Sequence, residues 1–446
     1  MENYTRREVL KLLGVSALTM THSLQAKTTL SVPASHKKAR IVIVGAGTGG
    51  IIAAARIRRA APNAQIIMIA PNEKHLYQSG QLFVAAGIEK SSNIDIRQTA
   101  DLLPENVTWI KEKVEAFEPE NNRILTEKGS RIAYDIMIVA LGSQYDYNEV
   151  EGLDSSMIGK EGIASVYLND TIQGSNEGGF LTNVAINALH YEAQNRPVKA
   201  LFAQAKGSIK AEGTALSMLM LMQHYMQEKG VSKNISYTFS TAKNHLFFLP
   251  SFAKVLESKL SKQKNTALAF SHHLKAIDAK KRVALFEVNQ KEKAIAYDFI
   301  HITPTLKAPK VLANSPLALQ DGDYQGWMDV AEKTLQHPHF KNVFGIGDIL
   351  GIPHIKSAAA AAHQGIILQD NIAFALENKP LPASYDGYSA SPIITEYGKC
   401  MLAEFNKKGV APTLPLDPYT SRKLWWIWQK SWMRSLYFNL LMRGMM

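Results

Sequence analysis

Cysteine is nearly absent from this chain of 446 residues, which carries a single one, Cys400. The chain alone therefore cannot form an intramolecular disulfide, a CxxC redox centre or a metal site built from several thiolates. Acidic residues are also few, 39 against 50 lysines and arginines, and the formal net charge is +11. A basic balance of this kind favours attraction to anionic lipid or to an acidic partner without identifying either.

The rest of the composition is that of a folded protein. Hydrophobic residues make up 46% of the chain and charged residues 20%, and there is no long low-complexity segment or internal repeat. These fractions are typical of globular chains and exclude an intrinsically disordered protein. The length allows two or three domains with a substantial core.

The first residues contain two adjacent arginines ahead of a short apolar stretch, TRREVLKLLGVSALTM. Arg6 and Arg7 in this setting resemble a twin-arginine export signal, and the apolar stretch is too short to span a bilayer. The alternative is the basic start of an ordinary helix. We predict a signal segment over residues 1–34, cleaved after Ala26 or after Ala34, and a peripheral protein at the periplasmic face of the inner membrane.

A glycine-rich turn follows the first strongly apolar segment. Ile41–Val44 form a continuous apolar run, as expected of a parallel strand buried on both faces. Gly45, Gly47 and Gly50 then give G-x-G-x-x-G at the start of a helix. Such a turn lets the backbone approach a pyrophosphate, whose charge the helix N-terminus favours. With the next strand, residues 65–70, the pattern predicts a dinucleotide site, and the alternative is a tight structural turn.

Two features depart from the usual pattern of dinucleotide-binding proteins. Ala70 stands where an acidic residue normally binds the ribose, so Glu73 or backbone groups would have to replace it. Residues 199–216 lack a second glycine fingerprint, although a nicotinamide-binding unit would carry it there. The strand-like runs Val198–Phe202 and Ile235–Phe239 nevertheless predict a second unit of the same architecture.

Several segments together resemble the sulfide:quinone oxidoreductases, and in particular their mitochondrial-type branch. The resemblance extends from about Ala39 to Gly444, and it rests on the order and spacing of the segments rather than on any one of them. The matching segments are VGAGTGG (44–50), KHLYQSGQLFVAAG (74–87), YDFIHITPTLKAP (297–309), GWMDVAEKTLQHPHFKNVFGIGD (326–348), IKSAAAAAHQG (355–365) and YDGYSASPIITEYGKCMLAEF (385–405), followed by a tail rich in Trp, Arg and Met.

The resemblance implies FAD as the cofactor. In this family a strand delivers a Gly-Asp pair, here Gly347 and Asp348, whose carboxylate binds a hydroxyl of the flavin's ribityl chain. The next helix, beginning near Ser357, points its N-terminus at the ring edge where negative charge grows on reduction. Lys356 matches a family lysine near the flavin and is our candidate catalytic residue; the alternative is a solvated surface lysine. The other expected cofactor-binding residues are Gly45, Gly47, Gly50 and Gly142.

The resemblance also identifies side chains that this chain lacks. Family members use two cysteines beside the flavin to accept sulfur from sulfide. Ile349 stands at the first of these positions, and Ala211 at the second by an approximate alignment. Ser391 stands where relatives often carry a further cysteine. Because none of the three can form a persulfide or a disulfide, sulfide oxidation by the usual route is not expected. We interpret Cys400 as a small buried hydrophobe rather than a catalytic thiol.

The predicted fold is α/β, with two Rossmann-like dinucleotide-binding domains and amphipathic C-terminal helices in a membrane interface. An apolar strand that ends near Gly142 leaves the first domain, and a second strand, Val343–Ile346, returns to it. The predicted boundaries are 1–34 for the signal segment, 38–150 for the first part of the FAD-binding domain, 151–312 for the second Rossmann-like domain, 313–378 for the return part and 379–446 for the C-terminal membrane-associated region.

The tail segment SRKLWWIWQKSWMRSLYFNLLMRG, residues 421–444, combines five basic residues and four tryptophans without an acid. As a regular helix it would place Lys423, Lys430 and Arg434 on one face. Trp425, Trp428, Trp432 and Leu436 would lie on the opposite one. This pattern predicts a helix in the membrane interface, and packing on a partner domain is the alternative. The interspersed charge argues against spanning. In the family this segment forms the membrane anchor and the mouth of the quinone pocket, so the expected partners are a membrane quinone and the bilayer surface.

The leading interpretation is an FAD-dependent oxidoreductase that passes electrons from an unidentified donor through FAD to a membrane quinone. The alternatives are a catalytically degenerate flavin-binding subunit and an NADH:quinone dehydrogenase, which the missing second fingerprint disfavours. The pairs His272/His273 and His337/His339 lack neighbouring acids or cysteines, so no metal is predicted. No basic-aromatic stripe outside the tail indicates nucleic acid. The sequence leaves open the donor, the quinone type and homo-oligomerisation.

Overall fold

The computed structural model describes residues 33–90, 92–168 and 177–446. Arg6, Arg7 and almost all of the predicted signal segment lie outside these residues. Export by the twin-arginine route therefore stays a prediction.

The first part of the chain alternates short strands with three helices. The strands are β1 (Arg40–Val44), β2 (Gln65–Ile69), β3 (Lys74–Leu76), β4 (Ile96–Gln98), β5 (Val107–Ile110), β6 (Val114–Glu118), β7 (Arg123–Thr126), β8 (Arg131–Ala133), β9 (Ile136–Val139), β10 (Gln144–Asp146) and β11 (Ile163–Ala164). The helices are α1 (Thr48–Ala60), α2 (Gln81–Ala85) and α3 (Thr99–Leu102).

The middle of the chain has longer strands. These are β12 (Val198–Gln204), β13 (Ile235–Thr241), β14 (Thr266–Ala269), β15 (His273–Asp278), β16 (Val283–Val288), β17 (Lys291–Ala296), β18 (Phe299–Thr303) and β19 (Thr305–Lys307). The helices are α4 (Gly178–Ala193), α5 (Gly213–Glu228), α6 (Pro250–Leu260) and α7 (Lys310–Ala313).

The remaining elements are four strands and three α-helices, with two π-helical turns in the tail. The strands are β20 (Val343–Gly345), β21 (Ser389–Glu396), β22 (Lys399–Asn406) and β23 (Gly409–Val410). The helices are α8 (Ala358–Leu376), α9 (Lys423–Ile427) and α10 (Met433–Leu436), and the π-helical turns are Trp428–Trp432 and Tyr437–Leu441.

A five-stranded parallel sheet forms the first unit, in the order β20-β9-β1-β2-β5. β1 pairs with β2 from Arg40↔Gln65 onward and with β9 from Ile41↔Ile136 onward. Both β1 and β9 are buried along almost their whole length, as expected of parallel strands covered on both faces. β20 arrives from the far end of the chain and pairs with β9 at the edge, so the predicted return to the first sheet is what the structure has.

A second parallel sheet, in the order β11-β18-β12-β13-β14, forms the second unit. The helix α5, which packs against it, buries the methionines along its length. The prediction of two Rossmann-like α/β units is therefore confirmed. Smaller antiparallel sheets complete the fold, and these are β6-β7-β8, β15-β16-β17, β21-β22-β23, β3-β4 and β10-β19.

The tail, defined here as residues 421–446, packs against the protein itself. Trp425, Trp426 and Trp428 are buried and belong to the core of the second unit. The prediction that Trp425 and Trp428 face lipid is therefore wrong. Each of the two π-helical turns adds a residue to a turn, so the faces drawn for a regular α-helix are not preserved.

Arg434 was likewise predicted on an exposed cationic face, and it is not there. Its Nε lies 2.7 Å from Oδ1 of the fully buried Asp95, and its Nη2 lies 3.6 Å from Glu89. An arginine in this position holds the tail to the first unit because its removal would leave a buried carboxylate uncompensated. Among the described residues, no helix combines the length and the apolar character needed to cross a membrane.

Candidate dinucleotide-binding site

The glycine loop lies at the carboxyl end of β1. Gly45 has a φ of +108°, and a Cβ there would lie 2.4 Å from the carbonyl oxygen of Ala140. A Cβ on Gly50 would lie 1.9 Å from the carbonyl oxygen of Gly45. Gly47 differs, because a Cβ on it would meet nothing within 4 Å. The first and third glycines therefore close the loop tightly, and the second faces open space where a pyrophosphate can approach.

The helix that leaves this loop is prepared for an anion. α1 begins at Thr48, no side chain caps its N-terminus, and its first turn contains no acidic residue. The first N–H groups of a helix have no partner within it, and the helix dipole favours negative charge there. The residues present thus suit the dinucleotide that the sequence predicts.

Gly142 lies just past β9, at the same edge of the sheet as the glycine loop. Its φ is +68°, and a Cβ there would meet nothing within 4 Å. Glu73, the predicted substitute for the ribose-binding acid, is largely exposed and pairs with Lys111 at 2.8 Å. Its part in holding a ribose stays a prediction.

The Gly-Asp turn follows β20 at this same edge. Gly347 has a φ of +84°, and its N–H donates to Oε1 of Gln364 at 2.8 Å. Oδ2 of Asp348 accepts from the Ser143 hydroxyl at 3.2 Å and pairs with Lys210. Burial raises the pKa of Asp348, but the ammonium groups of Lys210 and Lys356 outweigh burial and hold that pKa below its usual value. Asp348 is therefore an ionised acceptor, as a hydroxyl of a bound ligand requires.

Lys356 is buried, with 2% of its surface exposed, so its interpretation as a solvated surface lysine is wrong. Its Nζ donates to the carbonyl oxygens of Asp348 at 2.5 Å and Leu350 at 3.3 Å. It also lies 3.8 Å from the ring centroid of Trp327. Burial lowers the pKa of Lys356 to about 7, with Asp348 acting in the opposite direction. The ammonium thus braces the Gly-Asp turn, and its catalytic role stays a prediction.

A serine caps the helix after this turn. Ser357 lies at the N-cap of α8, and its hydroxyl accepts from the N–H of Ala360 at 3.1 Å. The same hydroxyl lies 2.8 Å from that of Ser389 on β21. The predicted start of the helix near Ser357 is confirmed, and the cap fixes the direction of its dipole.

The three positions that lack cysteine belong to segments that converge here. Lys210 forms an isolated bridge with Lys356, which places Ala211 beside the Gly-Asp turn. Ile349 is fully buried in that turn. Ser391 comes from β21, and its hydroxyl would lie 3.1 Å from a Cβ on Gly213 at the start of α5. The three positions where the resemblance implies cysteine therefore lie on neighbouring segments, and none of them carries a sulfur atom.

Cys400 is a buried residue of β22, where it pairs with Ile394. It is fully buried, its Sγ contacts the carbonyl oxygen of Met401 at 3.1 Å, and burial raises the pKa of the thiol. A thiol with a raised pKa is a poor nucleophile. Its interpretation as a small hydrophobe is confirmed.

The paired histidines make local contacts. Nδ1 of His272 lies 2.7 Å from the carbonyl oxygen of Phe270, and Nδ1 of His337 accepts from the N–H of His339. Across the described ranges, no group of three or more His, Cys, Asp or Glu side chains is arranged to hold a metal ion.

Sequence reasoning missed three side chains of this site. Lys210 and Ser143 both contact Asp348, and Gln364 holds the N–H of Gly347. Ser143 and Lys210 each stand next to a position that the sequence did identify, Gly142 and Ala211. Nothing in their own local pattern marks them. Lys210 reaches Asp348 from the second unit, and Ser143 reaches it from the segment after β9, the strand that pairs with β20.

Comparison with known proteins identifies relatives of this chain. A family model described as pyridine nucleotide-disulphide oxidoreductase matches residues 39–173. The chain is 31% identical over 408 residues to the mitochondrial sulfide:quinone oxidoreductase of Mus musculus, covering 91% of this chain and 86% of that protein. It is 33% identical over 381 residues to the corresponding protein of Dictyostelium discoideum, covering 85% of this chain and 80% of the relative. The solved sulfide:quinone oxidoreductase of Aquifex aeolicus shares the fold, with a TM-score of 0.72, 19% identity and 91% coverage of both chains.

Proposed function

The chain belongs to the sulfide:quinone oxidoreductase family, and from that membership we propose that it passes electrons through FAD to a membrane quinone. It is an oxidoreductase, and its cofactor is FAD. The observation that supports the proposed function is the coexistence of two features. The glycine loop and the Gly-Asp turn have the geometry that suits a flavin, whereas Ala211, Ile349 and Ser391 stand where the resemblance implies cysteines.

FAD, when bound, supplies two-electron transfer between a donor and an acceptor. The loop from Gly45 to Gly50 would hold its pyrophosphate, and Asp348 would accept a hydrogen bond from its ribityl chain. The N-terminus of α8 and the ammonium of Lys356 would supply positive potential where negative charge develops. Because these groups are rigidly held by Ser357, Gln364 and the carbonyl oxygens described above, they need no rearrangement when charge develops.

The donor in this proposal is a molecule that gives electrons to the flavin without a protein thiol. Sulfide oxidation by the usual route needs a cysteine to accept sulfur, and the converging segments carry none. A donor that transfers hydride or electrons directly needs only access to the ring. This separates the present chain from relatives that handle sulfur.

A quinone acceptor implies contact with a bilayer, and we include a lipid-facing surface in the proposal. The large hydrophobic side chains most exposed in the described residues are Ile94, Phe180, Val184, Tyr191, Tyr397 and Met445. Of these, Met445 belongs to the tail and Tyr397 adjoins it, since the Tyr397 ring is 5.0 Å from that of Trp426. Phe83 of α2, the helix that packs on α4, is 5.7 Å from the same ring. The exposed aromatic side chains of this set, together with exposed basic residues of the tail such as Lys423, suit a membrane interface. Export to the periplasmic side completes the proposal.

The experiment that tests this function is an anaerobic titration of the purified protein, followed by flavin absorbance. We expect a flavin spectrum that sulfide does not bleach, that dithionite bleaches, and that a short-chain quinone then restores. Bleaching by sulfide would mean that sulfide reduces the flavin without the usual cysteines, which contradicts our expectation that sulfide is not the donor, and bleaching by NADH would favour an NADH:quinone dehydrogenase. Absence of flavin would contradict the cofactor.

One alternative has an observation in its favour. The loss of all three sulfur positions is also what a catalytically degenerate flavin-binding subunit would show. The same titration distinguishes the two, because in a degenerate subunit the reduced flavin would not pass its electrons to the quinone.

A further inference from the structure

The tail reaches the glycine loop through one hydroxyl group. The hydroxyl of Tyr437 lies 2.6 Å from Oγ1 of Thr48 and 2.6 Å from Nε2 of His75. Tyr437 and His75 are 3% and 4% exposed, so both hydrogen bonds are sheltered from bulk water. Thr48 is the first residue of α1, directly after Gly47.

The direction of these hydrogen bonds follows from the backbone. Nδ1 of His75 lies 3.5 Å from the carbonyl oxygen of Ala46, which can only accept. Burial lowers the pKa of His75 to about 4, so the ring is neutral and carries its one hydrogen on Nδ1. Nε2 is then the acceptor, and the hydroxyl of Tyr437 donates to it. The Tyr437 oxygen in turn accepts from the hydroxyl of Thr48.

This arrangement ties the first residue of α1 to the tail. The hydroxyl of Thr48 is held by Tyr437, and no side chain caps α1. The N–H groups of the first turn therefore remain available to a pyrophosphate.

The tail is also fastened to the other end of α1. Nη1 of Arg59 donates to the carbonyl oxygen of Arg443 at 3.0 Å, and its Nη2 donates to that of Gly444. Arg56 donates to the carbonyl oxygen of Met446. A Cβ on Gly444 would lie 2.7 Å from Nη2 of Arg59, so the chain passes close against this helix. The tail thus contacts α1 at both ends.

We propose that Tyr437 is a positioning residue for FAD, which acts by anchoring Thr48, and with it the first turn of α1, through the hydrogen bond between the two hydroxyls. The tail then belongs to the dinucleotide site although it lies far from the loop in sequence. The inference rests on FAD as the cofactor, and it is independent of the donor and of the quinone.

The test compares FAD release from two variants that each lose one buried tyrosine hydroxyl. Tyr437→Phe keeps the ring and removes the contact with Thr48. Tyr147→Phe is the matched control, because its hydroxyl lies 2.9 Å from Oγ of Ser165 and its ring belongs to a different buried cluster from β1 and the loop. We expect FAD to leave Tyr437→Phe about five-fold faster than the wild type, as the loss of one sheltered hydrogen bond implies, and to leave the control at the wild-type rate. Release is followed by the rise in FAD fluorescence after dilution of the holoprotein.

Two further measurements separate positioning from a general loss of stability. The increase in Tm that FAD confers on the apoprotein should shrink in Tyr437→Phe and stay unchanged in Tyr147→Phe. Thr48→Val should release FAD as fast as Tyr437→Phe, and the double variant should be no faster, because both remove the same contact. If Tyr437→Phe does not fold, Thr48→Val alone carries the test.

Wild-type release from Tyr437→Phe, or from Thr48→Val, would overturn the proposal, as would additive effects in the double variant. Flavin is quantified in the wild-type protein first. If that protein binds no FAD, the cofactor assignment fails, whereas a wild-type release rate in the variants contradicts only the role of Tyr437.

Discussion

Each of the two Rossmann-like units has a strand, a loop and a helix at the position where this architecture can bind a dinucleotide. The two loops differ in length and in sequence. In the first unit β1 passes through Gly45 and Gly47 directly into α1. In the second unit β12 and α5 are separated by residues 205–212. The first loop is short and rich in glycine, and it leaves the helix N-terminus open to an anion.

The second loop carries a carboxylate at the N-terminus of its helix, although no side chain caps that helix. Glu212 lies at the N-terminus of α5, 2.6 Å from the ammonium of Lys243, and its other oxygen accepts from the N–H of Phe248 at 3.1 Å. A carboxylate there satisfies the helix dipole and repels a phosphate. The same loop sends Lys210 across to Asp348 in the first unit. The fold is therefore repeated while the anion site is not, and the second loop contributes to the site of the first.

Among the substitutions that test this difference between the loops, Gly50→Ala is expected to have the largest effect on FAD binding. The new Cβ would lie 1.9 Å from the carbonyl oxygen of Gly45, so the loop has to open and the protein should lose most of its FAD. Gly207→Ala in the second loop is the control. Its φ of +78° makes the substitution cost roughly 1–2 kcal/mol, and its nearest neighbour is a methyl group of Thr305 at 3.5 Å.

The measurement is the flavin content of each purified variant, with folding checked by circular dichroism. The second variant should be less stable but keep its FAD. Loss of FAD from both variants to the same degree would show that the two loops are not as different as their glycines indicate.

The same contrast shows what sequence can predict in this protein. A buried parallel strand reads as an unbroken apolar run, and a glycine loop reads as a spacing, so Ile41–Val44 and Gly45 to Gly50 were predictable from local pattern. Both features are local, because each depends on residues that are near one another in the chain. The return of β20 beside β9 is not local, and it was predicted only from the family resemblance of the Gly-Asp segment.

The rest of the site depends on contacts between distant segments. Lys210 approaches Asp348 only because the second unit docks against the first, and no periodicity records that docking. The tail is a second example of a feature that the sequence did not predict correctly. Its basic and aromatic residues predicted a lipid-facing helix, but the tryptophans at its start find an apolar surface in the second unit. Burial against protein or lipid removes the same area from water, so composition cannot distinguish them.

A second prediction places thiols on the second loop and on the Gly-Asp turn that it contacts, at two positions where the resemblance implies cysteine. The double variant Ala211→Cys with Ile349→Cys places one thiol on the second loop and one on the Gly-Asp turn. Ala211 already has a φ of +45°, so cysteine adds little backbone strain there. Ile349 is fully buried, and its replacement by a smaller side chain should destabilise the protein by about 1–2 kcal/mol.

We expect sulfide to bleach the flavin absorbance of the double variant under anaerobic conditions and to leave the wild type and both single variants unchanged. The single variants are the matched controls, because each carries one of the two thiols. A double variant that binds FAD and still ignores sulfide would mean that converging positions are not sufficient, and that further side chains of this chain exclude sulfur chemistry.

The smallest expected effect concerns Lys356, whose Nζ donates to the carbonyl oxygens of Asp348 and Leu350 at the Gly-Asp turn. Burial lowers the pKa of Lys356 from its ordinary value of 10.5 to about 7, and Asp348 opposes this shift. Between these two pH values the unfolded chain binds a proton that the folded protein has lost, so folding becomes more favourable as the pH rises. Relative to Lys356→Met, the free energy of unfolding of the wild type should therefore increase from pH 7 to pH 10, by at most about 1.4 kcal/mol per pH unit.

Urea unfolding of both proteins at several pH values measures this difference. If it stays constant over that range, the ammonium of Lys356 keeps its proton in the folded protein, and the turn is braced by a permanent charge instead.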